Sequence, residues 1–148
     1  MSNLLVRVRI AVLERTIASG QVPTAGEVAT ELDMPVAIVK EAYAKLGEDH
    51  VFVCDQDDPS RLRMAAPFSA VPTAFKVSAR GGAYYGNCVW DSLGIISLLG
   101  GDGTVETPCP DCSEPLSLQV TGGKLVESDC VVHFSVPARR WWDDIVFT

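Results

Sequence analysis

Cys88 and Asp91 stand three residues apart in the segment CVWDSLGIISLLG, which the spacing of apolar residues predicts as a helix from about Tyr85 or Asn87 to Leu99, closed by Gly100-Gly101. Residues three apart on a helix share a face, so a thiol and a carboxyl at these positions can reach one ligand. Near a helix start, unpaired N–H groups and the helix dipole favour the thiolate, the form that binds soft metals. The neighbouring carboxylate acts the other way and raises the thiol pKa unless it is itself protonated or paired. Soft sulfur to capture a metal centre and a carboxyl to move a proton make a pair suited to metal–carbon bond chemistry. The structural alternative is a buried cysteine beside a locally capping aspartate.

A second cysteine pattern follows. Cys109 and Cys112 form a CxxC turn, CPDC, and Cys130 and His133 form a CxxH, giving C-x2-C-x17-C-x2-H. This spacing is close to that of a structural zinc ribbon with four N/S ligands. A regular strand over VVHFSV would put Cys130 and His133 on opposite faces, so a zinc knuckle requires that strand to break. The CxxC could alternatively pass a soft metal onward or act as a redox pair. Cys54 reads as a small buried hydrophobe.

The elements that must position these groups fall into two parts. Residues 1–66 read as three helices and a β-hairpin, the order of a winged helix-turn-helix. The first helix runs from Leu4 to about Ser19, ahead of Gly20. The second reaches about Leu32, with Thr24 and Glu27 as a capping box. The third, PVAIVKEAYAKL, has Pro35 in its first turn and apolar residues at 36, 39, 43 and 46. The hairpin turns around Asp57-Asp58-Pro59. Residues 67–74, PFSAVPTA, read as a linker. Residues 75–148 begin with a strand, FKVSA, and a Gly81-Gly82 turn, then the Cys88 helix. Strand-like runs TVETP, PLSLQVT, KLVES and VVHFSV follow. The expected fold is α+β: a winged-helix-like three-helix part packed on a small mixed β-sheet, with one helix carrying Cys-x-x-Asp.

Charge argues against nucleic acid. The 148-residue chain has a formal net charge of −7, and residues 1–66 carry seven Lys/Arg against ten Asp/Glu. Asp55, Asp57 and Asp58 occupy the hairpin turn where a wing would meet phosphate, so a DNA partner is disfavoured. The N-terminus lacks the cleavage site of a signal peptide, and no apolar run is long enough to cross a bilayer. Five cysteines, an odd number, argue against a disulfide framework. The expectation is a soluble cytoplasmic protein.

The stretch from Phe75 to Cys109 resembles the core of the organomercurial (alkylmercury) lyases. It carries, in order, Phe75, Tyr85, Cys88, Asp91, Ser92-Leu93, Leu98-Leu99-Gly100 and Val105-Glu106-Thr107-Pro108-Cys109. The three-helix segment also fits that family's N-terminal half. The resemblance implies protonolysis of a carbon–mercury bond, with Cys88 as the mercury-binding thiolate and Asp91 as the proton relay. It implies no organic cofactor, Hg(II) as bound product, and cytosolic thiols or a mercuric reductase as the mercury acceptor. It also implies a second cysteine beyond Thr148. The apolar end IVFT, with no cap, fits a chain that continues. Within the chain, Cys130 is the best stand-in by position, with Cys109 and Cys112 as alternatives. Two rivals remain from the residues: a Hg, Cu or Zn carrier or sensor without catalysis, and a zinc-stabilised winged-helix regulator. Trp90, Trp141 and Trp142 could wall an apolar pocket or serve as core anchors.

Overall fold

A computed structural model of the chain describes residues 3–146. Phe147 and Thr148, the end of the IVFT run, lie outside the described residues.

Helix α1, Asn3–Ser19, buries Leu5, Val8, Ala11, Val12 and Thr16, a single stripe at helical spacing. The buried Thr16 hydroxyl donates to the Val12 carbonyl at 2.7 Å, so it enters the core satisfied. Gly20, at φ 76°, ends the helix. Helix α2, Ala25–Leu32, starts in the expected capping box: the Glu27 amide donates to the Thr24 hydroxyl at 3.4 Å, and the Thr24 amide to the Glu27 carboxylate at 2.8 Å. Helix α3, Val36–Glu48, buries Val39, Ala42, Tyr43 and Leu46. Pro35 precedes the helix as its cap instead of sitting in its first turn, and Val36 is exposed, its place on the buried face taken by Ala42.

Strands β1, Phe52–Cys54, and β2, Leu62–Ala65, pair antiparallel and close a first core of Val8, Val12, Val28, Tyr43, Leu46 and Phe52. The acidic residues between them build their own turn. Asp55 accepts from the Asp57 and Asp58 amides at 2.9 and 3.0 Å, and Asp58 accepts from the Ser60 amide at 2.8 Å.

The stretch expected as a linker contains β3, Phe68–Ser69, both residues buried and bonded between β2 and β5. Strand β4 spans Phe75–Ala79 and β5 spans Gly82–Gly86. They are joined through Arg80 and Gly81, both with positive φ, as a tight hairpin turn demands. Helix α4, Val89–Leu98, then carries the chain across β4 to β6, Gly103–Pro108. Strands β7, Pro115–Thr121, and β8, Lys124–Leu125, complete one sheet in the order β1-β2-β3-β5-β4-β6-β7-β8.

Every observed pairing is antiparallel, so the sheet is not mixed. Five of the connections are short turns, which only antiparallel neighbours permit, and the single helical crossover skips a strand. Alternation along the strands puts Val77, Ala79, Tyr84, Val105, Leu118 and Val120 on one face under Ile95, Ile96 and Leu99 of α4. The opposite face, with Lys76, Ser78, Glu106 and Gln119, is exposed.

Beyond β8 the expected strand VVHFSV does not form; residues 126–136 are irregular. They are followed by a short 3-10 helix, Ala138–Asp143. Trp142 in that helix stacks on His50, just past α3, with ring centroids 4.1 Å apart and planes at 7°.

Candidate active site

Cys88 is the N-cap of α4, in extended backbone, with its side chain making no capping bond. Three neighbours hold it there. The fully buried Ser92 donates to the Cys88 carbonyl twice, from its amide at 3.1 Å and its hydroxyl at 2.9 Å. Thr73 donates to the Gly86 carbonyl at 2.6 Å. Asn87 donates through its side chain to the Ile145 carbonyl at 3.2 Å, tying the C-terminal segment to the helix start. Gly86 is required by contact: a Cβ there would collide with the Ser92 hydroxyl and come within 2.8 Å of the Ser92 amide nitrogen.

Asp91 lies in the first turn of α4, and the Cys88 thiol donates to its Oδ2 at 3.5 Å. Burial pushes the Asp91 carboxyl above its ordinary range, against hydrogen bonds from the Cys88 thiol and from the Cys88 and Asn87 amides that pull it down. Burial also pushes the Cys88 thiol up, and the Asp91 charge adds to this, while the Asp91 and Trp90 amides oppose it. The helix terminus expected to favour the thiolate is therefore outweighed. The Cys88 thiol thus stands as hydrogen-bond donor to the Asp91 carboxyl, and burial raises both groups above their ordinary pKa ranges.

A cavity of about 610 Å³ opens on the Cys88 side of α4. Its floor is the part of the sheet face that α4 leaves bare, with Phe75, Thr107, Leu116 and Leu118. Its wall is Asn87–Val89. Its roof is the irregular segment 130–136 with Trp141. Cys88 and Cys130 both line this space. Beside it, Trp90, 60% exposed, meets Phe134 edge-on at 6.4 Å, and Phe134 tilts against Trp141 at 5.1 Å. These rings form an apolar notch of about 440 Å³ under the same roof. Trp142 takes no part in it.

The CPDC turn sits between β6 and β7. The Cys109 amide donates to the Glu114 carbonyl at 2.8 Å and the Ser113 amide to the Cys109 carbonyl at 2.9 Å. Hydrogen bonding from the Cys112 and Asp111 amides and the Cys112 thiol holds the Cys109 thiol below its ordinary range, against burial and the Asp111 charge. Among the described residues no group of three or more His, Cys, Asp or Glu side chains converges as a metal site would. The four-ligand zinc arrangement of Cys109, Cys112, Cys130 and His133 is thus not assembled. His133 and Cys130 belong to the cavity roof, while the CxxC pair stays in its own turn. Cys54 is half-buried, its thiol donating to the Tyr43 carbonyl at 3.5 Å.

Thiol environments this different should react differently. In native protein at about pH 7, below the ordinary thiol pKa of ~8.5, iodoacetamide is expected to modify Cys109 well before Cys88 or Cys54. Time-resolved peptide mapping checks the order, and equal rates at Cys88 and Cys109 would contradict these assignments.

Ser92, Gly86, Thr73 and Asn87 are positioning groups that residue types alone did not single out. Only Ser92 carried a signal, since it sits in the Asp-Ser-Leu run of the family pattern. The alkylmercury lyase family model matches residues 68–148. An alkylmercury lyase of Bacillus cereus and one of Clostridium butyricum are each 27% identical to the chain over 128 residues, covering 84% of it and 56% of their own length. The chain thus spans little more than half of these curated relatives. The crystal structure of a mercury-bound form of MerB2 superposes with a TM-score of 0.66 at 19% identity, over 87% of this chain and 61% of that one, which shows a shared fold. With more than half of its residues inside the matched region, this chain belongs to the alkylmercury lyase family.

Proposed function

We propose that the chain cleaves carbon–mercury bonds in organomercurials, R–Hg–X, by protonolysis, giving the hydrocarbon R–H and Hg(II). The observation that carries this reading is the placement of Cys88 and Cys130 on one cavity, with Asp91 hydrogen-bonded to Cys88. As the Cys88 thiol gives its proton to Asp91, its sulfur displaces X and forms the S–Hg bond. Cys130 adds as the second thiolate, releasing its own proton. Two thiolates push electron density onto mercury and weaken its bond to carbon. Asp91, now a carboxylic acid, delivers its proton to the carbon as R–H leaves. The balance is two thiols plus R–Hg–X giving R–H, HX and a bis-thiolate Hg(II).

Burial supports both halves of the Asp91 role. A carboxyl raised by desolvation accepts the thiol proton readily and holds it until carbon takes it. The mostly apolar cavity and the aromatic notch suit a small alkyl or aryl group. Cys130 in this reading fills the place of the second cysteine expected beyond Thr148. No organic cofactor enters the chemistry. Small cytosolic thiols or a mercuric reductase would take up Hg(II), consistent with a cytoplasmic enzyme. Among the described residues, no helix is long and apolar enough to cross a membrane. We read residues 1–66 as a winged-helix-like packing unit, its acidic turn committed to internal hydrogen bonds, and residues 75–148 as the catalytic core.

Phenylmercuric acetate incubated with reduced protein and excess small thiol should yield headspace benzene over several turnovers. Cys88→Ser and Cys130→Ser should each fall to the protein-free rate. Benzene from neither parent nor variants, with Hg(II) still bound, would make the protein a carrier and defeat the enzymatic reading. Full activity in Cys130→Ser would remove Cys130 from the site.

A further inference from the structure

The proposed chemistry leaves the Cys109–Cys112 pair unused, yet the fold places it at the edge of the same cavity. Pro108 and Pro110, on either side of Cys109, both line that cavity. Neither cysteine is in a disulfide; Cys112 is exposed and Cys109 half-buried. The turn that carries them is closed by two backbone hydrogen bonds, from the Cys109 amide to the Glu114 carbonyl at 2.8 Å and from the Ser113 amide to the Cys109 carbonyl at 2.9 Å, which keeps the two cysteines within one short loop.

We infer that Cys109 and Cys112 form a second mercury site, a dithiol that takes Hg(II) from the Cys88–Cys130 pair and presents it to thiols in solution. The source of the metal rests on the lyase reading, whereas binding at the dithiol does not. Hg(II) held by two sulfurs leaves by thiol exchange, which needs an incoming sulfur at the metal. A dithiol at the rim supplies that sulfur from within the chain.

The exchange balances without a redox partner. The Cys109 sulfur forms a bond to mercury as one cavity sulfur leaves and takes up the Cys109 proton. Cys112 then forms the second bond as the other cavity sulfur leaves and takes up the Cys112 proton. The cavity pair ends as two thiols, ready for substrate. Zinc would need four ligands here, and among the described residues they are not gathered. Soft Hg(II) is satisfied by two thiolates.

The test separates binding from relay. In Cys54→Ala/Cys88→Ser/Cys130→Ser protein only the dithiol remains. Given one equivalent of mercuric chloride and challenged with excess glutathione, it should keep one Hg(II) per chain by native mass spectrometry. Adding Cys112→Ser should lower retention at least about tenfold, because a single thiol lacks the second, intramolecular bond. Retention that is absent, or that survives Cys112→Ser, overturns the site. In the full chain, Cys112→Ser alone should leave single-turnover benzene release unchanged and slow passage of Hg(II) to glutathione at least about tenfold. Unchanged passage overturns the relay. A full chain that makes no benzene would defeat the lyase reading instead, and the mercuric chloride retention would still decide the dithiol.

Discussion

Asp91→Asn is expected to lower benzene release from phenylmercuric acetate by about 10²–10⁴-fold, the usual contribution of a positioned general acid–base group. Stoichiometric Hg(II) binding should persist. The asparagine keeps the size of the side chain but can neither accept the Cys88 proton nor deliver it to carbon. Substrate capture by sulfur should survive, so the loss should appear in the turnover of bound substrate, not in mercury uptake. A second readout follows from linkage. Burial raises the Asp91 pKa in the folded chain above its unfolded value. The folded state then holds this proton more tightly, so the stabilisation is fully present below the ordinary carboxylate pKa and is lost as pH rises through the raised one. Asp91→Asn should flatten that part of the stability–pH curve and leave the variant more stable than the parent at neutral pH. Denaturant midpoints across pH measure this. A variant that is less stable at neutral pH would show that Asp91 is held chiefly by its hydrogen bonds.

Gly86→Ala should injure both the fold and the catalyst. The added Cβ meets the Ser92 hydroxyl and lies 2.8 Å from the Ser92 amide nitrogen and 3.0 Å from the Cys88 carbonyl oxygen. Two of these are backbone atoms at the turn that aims Cys88, so no side-chain rotation relieves the contact. Overpacking of this kind costs about 1–3 kcal/mol, and an ångström-scale displacement of the reacting thiol costs about 10²-fold in rate. Gly94→Ala, on the same helix, is the control. Its Cβ would touch Pro67 at an ordinary 3.6 Å, and alanine in a helix interior gains up to about 1 kcal/mol over glycine. Loss of activity in Gly86→Ala at temperatures where the variant remains folded, beside full activity in Gly94→Ala, would tie the effect to the Cys88 turn. Equal behaviour of the two would sever that link.

What could be read from residue order was local or carried by a motif. The Thr24–Glu27 capping box needs only residues three apart, and the Cys88–Asp91 contact needs only one helical turn. The capping box is found where the spacing put it; Cys88 instead stands just ahead of α4, as its N-cap, and meets Asp91 from there at 3.5 Å. Strand β3 was hidden because two residues, Phe68 and Ser69, have no periodicity of their own; only their partners Met64, Ala65 and Gly86 make them a strand. The run VVHFSV misled for the opposite reason. Its alternation matches a strand, but after β8 the chain leaves the sheet, and Val131 is 89% exposed. The same apolar residues roof a cavity, which asks for hydrophobic contact without a ladder of hydrogen bonds. That Cys130 and Cys88 line one cavity is a tertiary fact with no local signature, and residue order offered Cys130 both as a stand-in for the second cysteine and as a partner of the CxxC.

The stack of Trp142 on His50 ties the N-terminal half to the segment that follows β8. The segment that follows β8 is held at the start of α4 by Asn87 and Trp90, and also by a ring just past α3, outside the stretch by which the family is recognised. The recognised stretch is therefore pinned from outside itself, at the His50 ring. Loss of the His50 ring should therefore free one end of a span that belongs, by chain position, to the other half.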